Sequence, residues 1–310
     1  MIAVKDLAYV RYQAPDLDAM ERCLLDFGLH RVQRSDDALH MRSHGPSPFV
    51  HVTQRGPAAS IGFGLIAGSA DALQRLATET GARVENSAEP GGGQRVTLTD
   101  PAGLRVDVVH GQTPLETLPM RAAIQRNLPG APTRINRTVR TEPGASQVLR
   151  AGHVALLVPD FNAAYDFYTR LLGMRLSDGY QAWPDGPMVA AFLHCGLGDT
   201  PVDHHTVALV SPPGLPSGRI DHSAFEVTDL DDLMRGHEHL RARGHKHSWG
   251  VGRHVEGSQL FDYWRDPFGH KIEHWTDGDM VTDSYTSHRV PMDPGRLAQW
   301  APPINAEFFE

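Results

Sequence analysis

The same succession of strand and helix signals occurs twice along the 310 residues. This internal repeat restricts the possible folds more than any other feature. In each half a strand-like run reaches Pro-Asp, at Pro15 and again at Pro159, where an amphipathic helix begins. Each half then ends with two strands around an Asp-Pro-x-Gly turn, at Asp100 and at Asp266. Repeats of this kind indicate that a chain is assembled from copies of one structural unit. We therefore predict an α+β fold with two related domains.

The repeat divides the chain into four segments. Residues 1–110 and 151–275 are the two predicted domains, and the second of them contains the residues with metal-binding chemistry. Residues 111–150 contain many prolines and arginines without periodicity and are predicted to link the domains. Residues 276–310 are a C-terminal tail.

Proline determines what the tail can form. Its four prolines from residue 291 onward exclude a long helix and a central strand. The tail also contains Trp300, Phe308 and Phe309, which provide apolar surface to bury. We expect the tail to lack regular structure and to cover the functional site as a lid.

Charge and cysteine content narrow the classes of partner and compartment. A net charge of -8, without a run of lysine or arginine, argues against nucleic acid or an anionic membrane as a partner. No apolar stretch is long enough to span a bilayer, and the first residues do not resemble an export signal. Cys23 and Cys195 are too few for a disulfide framework. We expect a cytoplasmic protein that acts on a small molecule.

A candidate metal site lies in the second half. The strand after the Asp266 turn contains Glu273, and two earlier strand-like runs contain His153 and His222. Alone, each is more simply explained as a buried histidine bonded to a carbonyl, or as a carboxylate paired with a neighbouring base such as Lys271. Together, two histidines and one carboxylate on three strands form a facial triad, which is typical of non-haem Fe(II) oxygenases.

Several motifs resemble one enzyme family over nearly the whole chain. The matching motifs are Gly-His153-Val followed by Pro-Asp and an aromatic helix, His204-His205 before an aliphatic run, the His222 strand, and Tyr263 ten residues before Glu273. In this the chain resembles the two-domain type I extradiol ring-cleavage dioxygenases of the vicinal oxygen chelate superfamily. The resemblance implies four β-α-β-β-β modules, two per domain, with the strands of each domain around a funnel.

The resemblance also implies a cofactor and substrates. His153, His222 and Glu273 would bind Fe(II), or Mn(II) as in some members of the family. The substrates would be a catechol-type aromatic diol and O2, and the ring would open beside the diol to give a muconic semialdehyde-type product. We also expect a homo-oligomer, and the first domain, which lacks the metal ligands, is expected to contribute subunit contacts.

Three further residues have roles that the resemblance implies. His205 would be the general acid and base, while His254 and Tyr263 would form hydrogen bonds with the substrate oxygens. The proline-rich segment 212–216 lengthens the spacing between His205 and the ligand His222. His204 therefore stays an alternative for the acid/base role.

Two other functions differ from this one in the ligands they need. An isomerase or thiol transferase on the same fold would use more carboxylate ligands, and a drug-binding protein would need no triad.

Four histidines near one helix are most simply a solvated face: His237, His239, His245 and His247. His194 precedes Cys195 without an orienting partner, so we interpret that cysteine as a buried thiol.

The first half lacks the triad. The repeat aligns Tyr9 with His153, Asp107 with Glu273, and the stretch around Gly62 with His222. One carboxylate without imidazole cannot form a facial Fe(II) site. We expect Asp107 to be solvated or paired with a base such as Arg105, and side chains such as Tyr9 and Phe63 to fill the former funnel.

The first prediction concerns the number of metal ions. Protein loaded with iron under anaerobic conditions should contain about one iron per chain, because a facial site needs three ligands and only the second half supplies them. Glu273→Ala should reduce the iron content to near zero, whereas Asp107→Ala should leave it unchanged. Iron analysis that returns two ions per chain, or loss of iron in Asp107→Ala, would contradict the assignment.

Overall fold

A computed structural model of the protein describes residues 2–211 and 217–309. The segment 212–216, whose length bears on the choice between His204 and His205, lies outside the described residues. Among these residues the strands form two large sheets and a small two-stranded one. No helix in the described ranges is long and apolar enough to cross a membrane.

The first sheet is built from the N-terminal half of the chain. Its eight strands, counted over the described residues, are ordered β2-β3-β4-β1-β5-β8-β7-β6. The strands are β1 (Val4–Ala14), β2 (His30–Arg34), β3 (Ala38–Arg42), β4 (His51–Arg55), β5 (Ala59–Ala67), β6 (Val84–Asn86), β7 (Gln94–Thr99) and β8 (Arg105–His110). The helices of this half are α1 (Leu17–Phe27) and α2 (Ala70–Thr80).

The second sheet contains the C-terminal half and parts of the tail. The strands of this half are β9 (Val148–Leu157), β10 (Met174–Gln181), β11 (Met188–Cys195), β12 (Val202–Asp203), β13 (Val207–Val210), β14 (Arg219–Val227), β15 (Lys246–His254), β16 (Leu260–Arg265) and β17 (Lys271–Thr276). Of these, β12 belongs to the small sheet. The helices are α3 (Phe161–Asp166), which continues as a π-helix over Phe167–Leu171, and α4 (Leu230–Ala242).

The tail contributes three more strands and two short turns of helix. These elements are β18 (Met280–Val281), β19 (His288–Pro291), β20 (Ala298–Trp300), and 3-10 helices at Pro294–Arg296 and Ala306–Phe309. The ten strands found for the second sheet in the described residues are ordered β19-β10-β11-β13-β9-β14-β17-β16-β15-β20. The two outermost strands of this sheet therefore both come from the tail.

Both sheets have the same centre. In each sheet the first strands of two modules pair antiparallel: β1 with β5 in the first sheet, and β9 with β14 in the second. On its other side each of these strands pairs with the last strand of its own module, which runs parallel to it. Each sheet thus contains two β-α-β-β-β modules, which confirms the predicted fold. The predicted helix signals act as expected: Asp16 accepts hydrogen bonds from the Asp18 and Ala19 amides, and Gly28 ends α1 at a φ of 104°.

Two predicted elements differ from the structure. The strand predicted from Val202 to Val210 is interrupted, because β12 pairs with β18 in the small sheet while β13 joins the second sheet. The interruption contains His204 and His205, whose side chains a continuous strand would direct to opposite faces. The tail is not irregular, since its prolines are compatible with short edge strands; Pro291 is the last residue of β19.

The tail covers the second sheet with one aromatic residue. Phe308 is 8% exposed and its ring centroid lies 5.2 Å from that of Tyr263. Trp300 and Phe309, which we expected to be buried as well, are 49% and 38% exposed. The role of the tail as a lid stays a prediction.

The strand registers match the predicted correspondence between the two halves. Tyr9 and Asp107 are both opposite Gly64, as His153 and Glu273 are both opposite Ala224. The Tyr9 ring crosses Gly64 so closely that a Cβ there would meet it at 2.6 Å, so the position requires glycine.

Asp107 is buried rather than solvated. It accepts hydrogen bonds from the Tyr9 hydroxyl at 2.9 Å, the Thr97 hydroxyl at 2.7 Å and the Arg105 Nε at 2.9 Å. The predicted pairing with Arg105 is therefore present, but in the protein interior. Phe63 does not fill this funnel, because strand alternation places it in the main core, where its ring stacks on Tyr168.

Asp107→Ala should destabilise the first domain without affecting the metal. The Tyr9 hydroxyl and the Arg105 guanidinium would lose their buried acceptor, which costs about 1–3 kcal/mol in the free energy of unfolding. Urea unfolding measures this difference, and the exposed Asp36→Ala is the matched control. Equal stability of the two variants would show that the hydrogen bonds to Asp107 contribute nothing.

Candidate metal centre

The three predicted ligands meet on adjacent strands. Ala224 on β14 lies opposite both His153 on β9 and Glu273 on β17, and His222 precedes it by two residues on the same face. The Nε2 atoms of His153 and His222 lie 3.2 and 3.4 Å from Glu273 Oε2 and 3.4 Å from each other. Ligand atoms held about 2.1 Å from one ion at right angles lie about 3 Å apart. The triangle therefore has the dimensions of one face of a metal coordination sphere.

The surroundings of Glu273 fit a cation. The residue is 0% exposed, and among the described residues neither of its carboxylate oxygens has a hydrogen-bond donor. Burial acts to raise the pKa of Glu273, but the two histidines keep it below its usual value. Burial also lowers the pKa of His153, so this imidazole is neutral, the form that binds metals. A buried carboxylate without a donor is costly unless it has a positive partner, which a divalent metal would supply.

A carboxylate orients His222. Asp221 Oδ2 lies 2.8 Å from His222 Nδ1, and both Asp221 oxygens accept hydrogen bonds from Lys271 at 3.1 Å. Although burial opposes it, Lys271 and His222 hold the pKa of Asp221 below its usual value. The His222 proton therefore lies on Nδ1, and the lone pair on Nε2 faces the triangle.

Sequence analysis missed Asp221. Neighbouring residues on a regular strand point to opposite faces, so Asp221 would not reach the ring of His222. A shift of register between β14 and β9 at Ile220 and His222 removes this restriction. Lys271, considered as a partner of Glu273, binds Asp221 instead.

The predicted acid/base lies beside the triangle. The His205 ring centroid is 4.3 Å from that of His153, and the residue is 4% exposed. Burial and the neighbouring histidines hold the pKa of His205 well below its usual value. His204, the alternative, lies one step further out: its Nδ1 is 3.1 Å from His205 Nδ1, and its Nε2 is 2.8 Å from Asp178.

His254 and Tyr263 lie on the other side of the triangle. His254 Nε2 is 2.9 Å from the Tyr263 hydroxyl and 3.9 Å from Glu273 Oε1. Burial lowers the pKa of His254 to about 4, and burial together with Glu273 raises that of Tyr263 well above its usual value. Both side chains are thus neutral near pH 7. The structure brings all six predicted site residues together.

The four histidines near α4 do not form a solvated face. His237 and His247 lie 3.1 and 2.8 Å from the fully buried Asp262, and His239 and His245 pair with Asp26 at 3.4 and 2.9 Å. That prediction was wrong because the acidic partners are distant in sequence and invisible to local patterns. Both Asp262 oxygens accept hydrogen bonds, one from the Trp264 indole, in contrast to those of Glu273.

Comparison with known proteins supports the fold described above. A family model described as the Glyoxalase/Bleomycin resistance protein/Dioxygenase superfamily matches residues 150–274. The Mn(II)-bound glyoxalase from Novosphingobium aromaticivorans has a similar structure, with a TM-score of 0.78 at 24% identity over 100% of this chain and 95% of that chain. At this identity the likeness establishes the fold alone, since this fold supports several chemistries.

Sequence relatives define the family. Metapyrocatechase 2 of Cupriavidus necator is 31% identical over 313 residues, which cover 99% of this chain and 92% of the relative. An iron-dependent extradiol dioxygenase of Rhodococcus jostii is 29% identical over 300 residues, 91% of this chain and 92% of the relative. The chain belongs to the family of extradiol dioxygenases. This membership confirms the predicted reaction class and the iron cofactor.

Asp221→Asn should weaken metal binding. The amide cannot accept the His222 proton as strongly, and loss of such a partner typically reduces metal affinity about 10–100-fold. Competition with a chelator measures the iron dissociation constant, and the exposed Asp277→Asn is the matched control. Thermal unfolding separates this effect from a stability loss due to the unpaired Lys271. Equal iron affinity in both variants would contradict the orienting role of Asp221.

Proposed function

We propose that this chain cleaves a catechol-type diol with O2 at an Fe(II) ion held by His153, His222 and Glu273. The observation that carries this assignment is the buried Glu273 carboxylate, which faces two imidazole nitrogens and has no hydrogen-bond donor among the described residues. These three residues would hold the iron, which would supply coordination for the diol and O2 and one-electron redox chemistry.

The protein side chains provide the rest of the chemistry. In our proposal His254 and Tyr263 hold the two substrate oxygens through hydrogen bonds, so that the ring is oriented before reaction. Their distance of 2.9 Å from each other supports a joint role at one place. Because neither carries charge near pH 7, they orient the diol without competing with the metal for it.

His205 is the proposed general base and acid. It lies beside His153, in the interruption between β12 and β13. A neutral imidazole removes a proton from a diol hydroxyl and can return it in a later step. The position of His204, which is separated from His153 by His205, favours His205 over His204 for this role.

The proposed substrate carries an uncharged substituent. The indole of Trp249 lies parallel to the Tyr263 ring at 6.1 Å, and Phe261 and Phe308 pack against the same aromatic group. Aromatic surfaces of this kind favour apolar ring substituents over a carboxylate, which would lose its hydration there.

We further propose that the enzyme is a cytoplasmic homo-oligomer. The linker between the sheets exposes Leu128 and Ile135 at 65% and 69%, which supports burial against a second copy of the chain. The two free, buried cysteines are compatible with a reducing compartment. Sedimentation equilibrium of the full chain measures the oligomeric state, and a monomer would contradict the proposal.

Turnover of different diols tests the proposed reaction and substrate class. Protein loaded with Fe(II) should convert catechol, an alkylcatechol and a biphenyl diol into yellow products, and it should show much lower kcat/KM for a carboxylated catechol. Absence of a yellow product from every diol, with iron bound, would contradict ring cleavage. A preference for the carboxylated diol would contradict only the substrate class.

His205→Ala should retain iron and substrate binding but lose turnover. Removal of a general acid or base typically lowers kcat by about 10²–10⁴-fold. The control is His239→Ala, which removes a histidine outside the site. Near-normal kcat in His205→Ala would transfer the role to His204 or remove it.

A further inference from the structure

We propose that Asp178 and His204 are positioning residues that fix the proton of His205 on Nδ1 and leave Nε2 as the reacting base. The inference rests on the proposed role of His205. Its basis is a linear array of three buried side chains, in which Asp178, His204 and His205 are 3%, 1% and 4% exposed.

The contacts run from the carboxylate to the acid/base. Asp178 Oδ2 lies 2.8 Å from His204 Nε2, and His204 Nδ1 lies 3.1 Å from His205 Nδ1. The two imidazole planes are almost perpendicular, at 89°. The ring nitrogen of His205 that takes no part in this array is Nε2.

The hydrogen-bond order determines the tautomers. An ionised carboxylate only accepts hydrogen bonds, so His204 carries its proton on Nε2 and donates it to Asp178. With its one proton on Nε2, His204 accepts at Nδ1, and the hydrogen bond between the rings requires a proton on His205 Nδ1. His205 Nε2 is left with its lone pair, the state needed to remove a proton from a substrate hydroxyl. A buried aspartate fixes the tautomer of the histidine in a hydrolase triad in the same way, by accepting its ring N–H.

Asp178 is itself held firmly. Besides His204, it accepts hydrogen bonds from the Tyr285 hydroxyl at 3.0 Å and from the His288 amide at 2.7 Å, both from the tail. Burial opposes ionisation, but these donors keep the pKa of Asp178 below its usual value. Glu256 is the other carboxylate of this cluster, and its own pKa is raised by burial and by Asp178.

The test exploits an isosteric substitution. In Asp178→Asn the amide can donate to His204 Nε2, which reverses both tautomers and puts a proton on the reacting nitrogen of His205. We expect kcat to fall by about 10²–10⁴-fold, as for loss of a general base, while KM and iron content stay close to wild type. Asp283→Asn, a neighbour of the cluster that pairs with Arg175, is the matched control.

A spectroscopic measurement separates orientation from structural damage. In full-length protein with 15N-labelled histidine and diamagnetic Zn(II) in place of iron, wild-type His205 should carry its proton on Nδ1 and Asp178→Asn should carry it on Nε2. If the tautomer is the same in both proteins, or if kcat of Asp178→Asn equals that of the control, the inference is wrong.

A second pair of variants applies if Asp178→Asn does not fold. The amide oxygen of His204→Asn can occupy the place of Nδ1 and accept the His205 proton, whereas His204→Leu offers no acceptor. We expect a clearly higher kcat for His204→Asn, and equal kcat would overturn the inference. If His205→Ala itself keeps normal turnover, the proposed role of His205 fails instead, so the two failures are distinguishable.

Discussion

The buried carboxylate of Glu273 is the constraint on which the second domain depends. An ionised group with no exposure and no hydrogen-bond donor among the described residues is stable only next to a cation. The sheet meets this requirement through its centre, where an antiparallel pair is flanked by a parallel strand. Small Ala224 leaves room for His153 and Glu273 to converge above it, and His222 completes the group from the same strand.

In the first domain, protein groups alone stabilise the corresponding buried carboxylate. At the position equivalent to Glu273, Asp107 accepts hydrogen bonds from Tyr9, Thr97 and Arg105, and Tyr9 occupies the position equivalent to His153. The Arg105 guanidinium and two hydroxyls thus stabilise Asp107 without a metal. The duplicated fold keeps a buried acid in both halves, but only one half leaves it available for chemistry.

Local signals in the sequence predicted much of this molecule. Asp16 and Gly28 mark the ends of α1 because helix caps depend on neighbouring residues, and the Asp266 turn fixes the hairpin that places Glu273. Contacts that depend on irregular backbone or on distant partners were not predictable. Asp221 reaches His222 only through a change of register, and the pairing of His237 with Asp262 joins a helix to a strand behind it.

The tail gives the site an order of assembly. A chain emerging from the ribosome has all three proposed metal ligands once Glu273 has been made, but β19 and β20 close the two edges of the sheet only later. Until then those edges are open to pairing with other strands, and Asp178 lacks its contacts to Tyr285 and His288. The three proposed metal ligands therefore come earlier in the chain than the tail residues that hold Asp178, so a nascent chain contains the metal-binding strands before the Asp178–His204 array has its support.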